Sequence, residues 1–452
     1  MKLYIDGRTV DPRPGATLLD MVHELGLDTQ RLSTRPLAAK IAGEIFTLNY
    51  IPVRDKDVTE ERTTLRRAMA ASNGEVHLLR YSDDAGKEVY ARTAQYILFL
   101  AIHRLWPHAK AKMNCTVGAG LFIAVYNCPE LSIRALRAEV QRLVEMDIPL
   151  VRQRLSTKDA IERYSAAGLD DKARLLQWRT EPYFDEYIYE DYGDYHYGEL
   201  LPSTGFFTVW DIQPKDGGFM FIFPDNADPD LVADYKESPH FFSMFSEGEK
   251  WCYLMECQTV ADLNALTESG RIRELIRVNE ALHEKRYSQI ADMVCSRGAK
   301  AVMLAGPSSS GKTTSANRLA TQLRVHGKKP ILMGLDDYYL DRDKIAPGPD
   351  GKIDLEHINT IDTELFGQHL AALLAGEEVE IPVFNFKRGK REWHGHKMRL
   401  TKDTVIVVEG LHALNPVLLP KGLDKQLVFR LYVSPLLPLN LDDHNRIPTS
   451  YL

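Results

Sequence analysis

Hydrophobic and polar positions follow different rhythms in different parts of this chain. Lys2 to Ile5 and Arg8 to Val10 alternate around Asp6-Gly7, where glycine tolerates the positive φ of a tight turn, so a hairpin is expected. Pro12 to Gly15 interrupts that pattern. Thr17-Leu18-Leu19-Asp20 then reads as a helix start, with Leu18, Met21, Val22 and Leu25 on one face and Gly26 as its stop. Leu37 to Ile41 and Glu44 to Leu48 predict a second strand pair around Gly43. A hairpin, a helix and further strands make residues 1–60 a candidate β-grasp domain.

Residues 61–272 predict a mixed α+β domain. Ala91 to Leu105 is too densely apolar for a surface helix and predicts a buried one. Phe122 to Tyr126 reads as a strand and Leu131 to Met146 as a helix. Six tyrosines between Tyr183 and Tyr197 are interleaved with Asp185, Glu186, Glu190, Asp191 and Asp194. Those acids would repel phosphates, so packing in a sheet is the expected role of the rings. Residues 273–297 predict a connecting helix, because Glu274 to Ser296 contains neither Pro nor Gly. From residue 298 to 452 apolar strands alternate with helical patterns, which predicts a parallel sheet with helices on both faces. The fold class expected for the whole chain is α/β.

Composition narrows this little. With 452 residues, 44% hydrophobic and 26% charged, the chain can build several cores. Its net charge of -7 supplies no general attraction to nucleic acid or anionic lipid, leaving nucleic acid a lesser possibility through the N-terminal half. Five scattered cysteines, no signal pattern and no apolar run long enough to cross a bilayer point to the cytoplasm. Self-association is left open.

The chemistry concentrates in three places. Gly306-Pro307-Ser308-Ser309-Ser310-Gly311-Lys312-Thr313 fits G-x-x-x-x-G-K-[ST], between a strand at Ala301 to Ala305 and a helix carrying Ala316, Leu319, Ala320 and Leu323 on one face. Glycines bend such a loop so that successive N–H groups face one anion. Lys312 brings charge to the phosphates, and the Thr313 hydroxyl can ligate Mg²⁺. Gly306, Ser308, Ser309, Ser310, Gly311, Lys312, Thr313 and Thr314 are therefore the candidate ATP-binding residues. The run Thr404 to Val408 predicts a buried parallel strand, with Glu409 at its C-terminal end as a second Mg²⁺ ligand. Ile331 to Leu335 predicts another strand, ending in Asp336-Asp337-Tyr338-Tyr339. Asp336 is the candidate base and, with Lys312, the candidate catalytic pair.

With these anchors placed, residues 298–452 resemble the uridine kinase and phosphoribulokinase family of P-loop kinases. The resemblance implies ATP and Mg²⁺ as cofactors and a nucleoside-like small-molecule acceptor. It assigns Asp336 as base within Asp336-Asp337-Tyr338-Tyr339, and Glu356 with His357 near the sugar hydroxyls. Phe384, in Pro382-Val383-Phe384-Asn385-Phe386, lies in the nucleoside-pocket segment, and Glu409-Gly410 matches the metal-binding pair. Phe384 replaces the usual Tyr, and Lys387-Arg388-Gly389-Lys390-Arg391 replaces the usual His and Arg. Tyr339, Glu356, His357, Phe384, Lys387 and Arg391 are the substrate-binding candidates. The basic stretch could meet an anionic acceptor or be a solvated loop. His394 and His396 are expected in a surface loop. Family members continue into an Arg-rich lid helix, whereas the sequence given reaches Leu452 without one, so truncation or impaired transfer is expected.

Residues 1–60 are similar to the TGS domain, and 61–272 to the second additional domain of threonyl-tRNA synthetase, most clearly at Leu105-Trp106-Pro107-His108-Ala109-Lys110. That resemblance puts Arg92, Tyr96, His196 and Leu200 where the synthetase has its four metal-site residues, which implies neither zinc nor editing there. The whole order is similar to that of bacterial uridine kinase-like nucleoside kinases. It implies an ATP-dependent phosphotransferase, with an NTP-dependent sensor of tRNA or another translation component as the alternative.

Overall fold

The computed structural model describes residues 2–52, 72–347, 354–435 and 439–447. Contacts divide the chain into one unit of Met1–Ser269 with Leu437–Tyr451 and another of Gly270–Leu436.

In the first unit, β1 (Leu3–Ile5), β2 (Arg8–Val10), β3 (Ala38–Ile41), β4 (Glu44–Phe46) and β5 (Glu75–Leu79) form a sheet in the order β2-β1-β5-β3-β4. Helix α1 (Leu18–Glu24) covers it, started by a capping box in which the Thr17 side chain and backbone exchange bonds with Asp20. Its Leu18, Met21 and Val22 join Leu3, Ile5 and Val76 in one core. Strand β5 lies between β1 and β3, so Glu75–Leu79 belongs to the same sheet as the strands of residues 3–46. The burial pattern of β5 carries the reason: Val76 and Leu78 complete the core that the earlier strands begin.

Helix α2 (Asp84–Leu105) is buried without a break from Tyr96 to Ile102, matching its dense apolar composition. It packs with α3 (Ile133–Glu145) around the antiparallel sheet of β6 (Lys110–Val117), β7 (Gly120–Tyr126), β11 (Asp211–Lys215) and β12 (Gly218–Ile222). Strands β8 (Arg152–Ser156), β9 (Tyr183–Tyr189) and β10 (Tyr192–Asp194) make a further sheet, beside α4 (Thr157–Ala166) and α5 (Asp170–Leu176). The tyrosine-rich stretch supplies β9 and β10, and Tyr187, Tyr192 and Tyr195 are buried. Helices α6 (Pro239–Leu254) and α7 (Val260–Glu268) follow.

A fully buried ionic cluster ties residues 439–447 into this unit, although the sequence places them in the C-terminal domain. Lys172 Nζ donates to Asp194 at 2.8 Å and to Asp442 at 3.0 Å, and all three side chains are without solvent exposure. His444 Nδ1 lies 2.5 Å from Asp194, its ring stacked on Phe99 at 3.8 Å. Tyr195 donates to Asp442, and Asn440 donates to the Met113 carbonyl at 2.9 Å. Burial opposes charge on Asp194, but Lys172 and His444 overcome it and hold the carboxyl well below its ordinary range. The side chains of residues 439–447 thus find their partners in the first unit.

The second unit is a parallel sheet in the order β14-β19-β13-β20, from β13 (Ala301–Ala305), β14 (Lys329–Gly334), β19 (Thr404–Glu409) and β20 (Val428–Tyr432). Alternate residues of the two central strands feed different cores. Val302, Leu304, Val405 and Val407 pack under α8 (Ile272–Ser296) and α9 (Lys312–Val325). Met303, Ile406 and Val408 pack with Phe366, Leu370 and Leu373 of α10 (Thr363–Leu374) on the opposite face. Burial on both faces is why these strands read as continuous apolar runs. Helix α8, expected as a connector, is part of this unit. Its Tyr287 hydroxyl lies 2.9 Å from Ser315 Oγ, and its Glu284 accepts from Gln322 at 3.1 Å. Short antiparallel pairs complete the unit, β15 (Glu378–Glu380) with β18 (Lys397–Arg399) and β16 (Val383–Asn385) with β17 (Lys390–Glu392).

Lys172→Met should leave Asp194 and Asp442 buried without their shared cation, costing about 3–5 kcal/mol. Denaturant unfolding followed by circular dichroism should show that loss.

Candidate active site

The strand register assembles the site. Leu304 of β13 and Gly334 of β14 both pair with Glu409 of β19, so three chain segments leave the sheet side by side at its C-terminal edge. The glycine-rich loop leaves β13, Asp336 follows β14, and Glu409 ends β19.

The loop is tightly bent. Ser309 has φ 60° and Gly311 φ 84°, and Gly311 stands immediately before α9. A side chain at Gly306 would collide with the Val433 carbonyl and come within 2.6 Å of Ser310 Oγ. Ser310 Oγ is buried and finds no hydrogen-bond partner among the described residues. Lys312 Nζ donates to the Pro307 carbonyl at 2.8 Å, folding back over its own loop. The Thr313 hydroxyl sits 2.9 Å from each carboxylate oxygen of Glu409. Ser308, Ser309, Thr313 and Thr314 face solvent.

Asp336 and Asp337 share a short 3₁₀ turn, Leu335–Tyr338, but their carboxyls do different things. Asp337 accepts the Phe384 amide at 3.2 Å and braces β16. Asp336 faces the loop instead: desolvation pushes its carboxyl above the ordinary value, Lys312 pulls it back, and Asp337 adds repulsion. The turn is held close to the end of β19, since a Cβ on Gly410 would meet the Leu335 side chain at 2.6 Å.

Beyond Asp336 the substrate candidates separate. Tyr339 packs against Phe384 and Phe386, with ring centres 5.5 and 6.2 Å away. Its hydroxyl is pushed up by desolvation, with Asp336 and Glu356 adding negative charge. Glu356 is exposed, and its carbonyl lies 2.6 Å from His412 Nε2. His357 turns its Nδ1 to the Asn359 amide at 3.2 Å, capping a short turn. Lys387 stands exposed on the β16–β17 turn. Arg391, expected at the substrate, is spent inside the protein. Its guanidinium bonds Asp362 at 2.9 Å, the Tyr339 carbonyl at 3.1 Å and the Tyr338 carbonyl at 3.3 Å, while its amide donates to Asp341 at 2.9 Å. Planar, forked donors fit such backbone acceptors, so Arg391 latches the turn that carries Asp336. The sequence reading missed Asp341, Asp362 and His412. Only His412 carried a signal, its place just after Glu409-Gly410.

In the first unit, Tyr96 and His196 come together with ring centres 6.1 Å apart, both buried. Tyr96 Oη and His196 Nε2 lack hydrogen-bond partners among the described residues, and burial pulls His196 down to about 4. Arg92 instead binds the Glu199 carbonyl at 3.1 Å, and Leu200 is in the core.

Residues 301–439 match the model of the Phosphoribulokinase / Uridine kinase family. The P-loop, Asp336 and Glu409 all fall inside that span. Solved structures similar to part of this chain include a possible uridine kinase from Bacillus stearothermophilus. It is 20% identical with a TM-score of 0.28, covering 33% of this chain and 79% of that one. Another is a D-glycerate 3-kinase from Cryptococcus neoformans var. grubii, at 21% identity and TM-score 0.21, covering 28% and 52%. The N-terminal half is similar to threonine–tRNA ligases. That of Symbiobacterium thermophilum is 29% identical over 211 residues, 44% of this chain and 28% of the relative. That of Syntrophomonas wolfei is 24% identical over 204 residues, 44% and 29%. The chain thus spans less than a third of the length of these ligases. Among the described residues, no helix is long and apolar enough to cross a membrane.

Arg391→Ala should free the turn and cost about 1–3 kcal/mol through its orphaned acceptors. Amide exchange across residues 336–341 should accelerate. Arg391→Lys should restore only part of the protection, because an ammonium cannot span three separate acceptors.

Proposed function

We propose that this chain is an ATP-dependent phosphotransferase of the uridine kinase type, moving the γ-phosphate to a hydroxyl of a nucleoside or related sugar-containing acceptor. The observation that carries the reading is the meeting of a bent glycine loop, the Thr313–Glu409 pair and a desolvated Asp336 at one edge of a parallel sheet. The Ser310 hydroxyl, without a partner among the described residues, and the folded-back Lys312 fit a loop that closes on phosphate oxygens. Lys312 would exchange the Pro307 carbonyl for those oxygens. Thr313 and Glu409 are hard oxygen donors and would hold Mg²⁺, which when bound supplies positive charge against the phosphates.

In transfer, the acceptor oxygen forms a bond to the γ-phosphorus as the bond to the bridging β–γ oxygen breaks. The acceptor proton passes to an Asp336 carboxylate oxygen. A carboxyl raised above its ordinary value is a stronger base for that step. Tyr339, Phe384 and Phe386 offer an aromatic wall to a ring, and Glu356, whose charge is felt by the Tyr339 hydroxyl, would accept from sugar hydroxyls. Phe384 has no hydroxyl to read a base edge, which favours ring packing over hydrogen bonding as the source of selectivity.

A second reading, an NTP-dependent sensor of tRNA or another translation component, draws on the N-terminal likeness to threonine–tRNA ligases. ADP release with and without a nucleoside panel separates the two: acceptor-stimulated turnover supports the kinase, and slow turnover that responds only to RNA supports the sensor.

Asp336→Asn should reduce acceptor-dependent ADP release to background while leaving ATP affinity, measured by calorimetry, nearly unchanged. Undiminished transfer would remove Asp336 from the mechanism. The same variant should resist denaturant better at neutral pH. A carboxyl raised in the folded state weakens the fold above its ordinary value of 3.8, so the gain should vanish on acidification below it.

A further inference from the structure

A third chemistry lies in the first unit, away from the four synthetase-like positions. Strands β6 and β7 form a hairpin whose open end pairs Lys110 with Tyr126. Extended outward by two residues, that register sets His108 across from Cys128. Both flanking turns are pinned. Trp106 is buried and accepts the Ala109 amide at 2.9 Å, while Cys128 accepts the Leu131 amide at 3.1 Å. Asn127, at φ 58°, turns the chain so that Glu130 joins the same side. His108 Nε2 is 2.7 Å from Glu130 Oε1. One donor atom from each of His108, Cys128 and Glu130 lies within 4.8 Å of the other two, the one such group of three among the described residues.

We infer that His108, Cys128 and Glu130 form a binding site for a borderline transition-metal cation, Zn²⁺ foremost, with one coordination position left for water or an outside donor. One imidazole nitrogen, one thiolate and one carboxylate are the donor types Zn²⁺ takes. Around a tetrahedral ion of this kind, donor atoms stand about 3.3–3.8 Å apart. The His108–Glu130 distance of 2.7 Å must open slightly to admit the ion. His108 and Glu130 are 58% and 44% exposed, so an ion can enter and the rotamers are free. On binding, Cys128 releases its proton to solvent and His108 coordinates as the neutral imidazole. The bland counterpart is a surface His–Glu ion pair beside a chance thiol.

Co²⁺ titration of the full chain under a phosphine reductant decides between them. A bound Co²⁺ should show the intense visible bands of a tetrahedral site together with a near-ultraviolet thiolate charge-transfer band, and Zn²⁺ should erase both. Cys128→Ser should remove the charge-transfer band. His108→Ala and Glu130→Gln should weaken Zn²⁺ affinity by roughly tenfold or more, the lower end of what losing even an outer partner costs. His196→Ala and Cys252→Ser should leave the spectrum unchanged. Circular dichroism of each variant keeps misfolding distinguishable from lost ligation. Absence of a thiolate band in the wild-type chain, or its survival in Cys128→Ser, would overturn the assignment.

Discussion

Parallel pairing of two strands buried on both faces is the constraint on which the C-terminal unit depends. Once β13 lies beside β19 with Leu304 opposite Glu409, the chain has no choice about where its loop and its acid emerge. Both leave at the same edge, and α9 begins where the loop ends. Strand β14, paired with the other side of β19, delivers Asp336 to that edge. The apolar residues that hold the strands together thereby also bring a hydroxyl, a carboxylate, an ammonium and a second carboxyl within reach of one another.

Electrostatics then divides labour between neighbouring acids of the same type. Asp337 is used up by the Phe384 amide, whereas Asp336 stays available beside Lys312. Arg391 draws the turn inward through carbonyls, although a basic stretch on a surface loop invites the thought of anionic ligands. The same chemistry takes an extreme form in the first unit, where Lys172 and His444 sustain two carboxylates without solvent. Removing any one partner there exposes the full desolvation cost of the rest.

The two halves carry separate likenesses, to a phosphoribulokinase and uridine kinase family and to threonine–tRNA ligases. They do not meet at a simple boundary. Residues 439–447 follow the last strand of the kinase-like sheet in sequence, yet their side chains complete the core of the synthetase-like unit. Tyr96 and His196 lie buried there, with Oη and Nε2 lacking a hydrogen-bond partner among the described residues, while Arg92 binds the Glu199 carbonyl and Leu200 packs in the core.

Much of this was legible in the residues alone. The glycine loop, the β-branched run before Glu409, the Asp6-Gly7 hairpin and the Thr17 cap depend on neighbours in sequence, so local sterics and periodicity were enough to place them. Other features were decided by partners far along the chain. Strand β5 enters a sheet begun seventy residues earlier (Tyr4 pairs with Glu75), α8 packs on the P-loop helix, and Asp442 finds Lys172. Arg391 is the clearest case: its place in a basic stretch made it a substrate-binding candidate, and only the carbonyls of Tyr338 and Tyr339, folded against it, made it a latch. A side chain's charge is written in the sequence, but what neutralises that charge is a matter of three-dimensional distance.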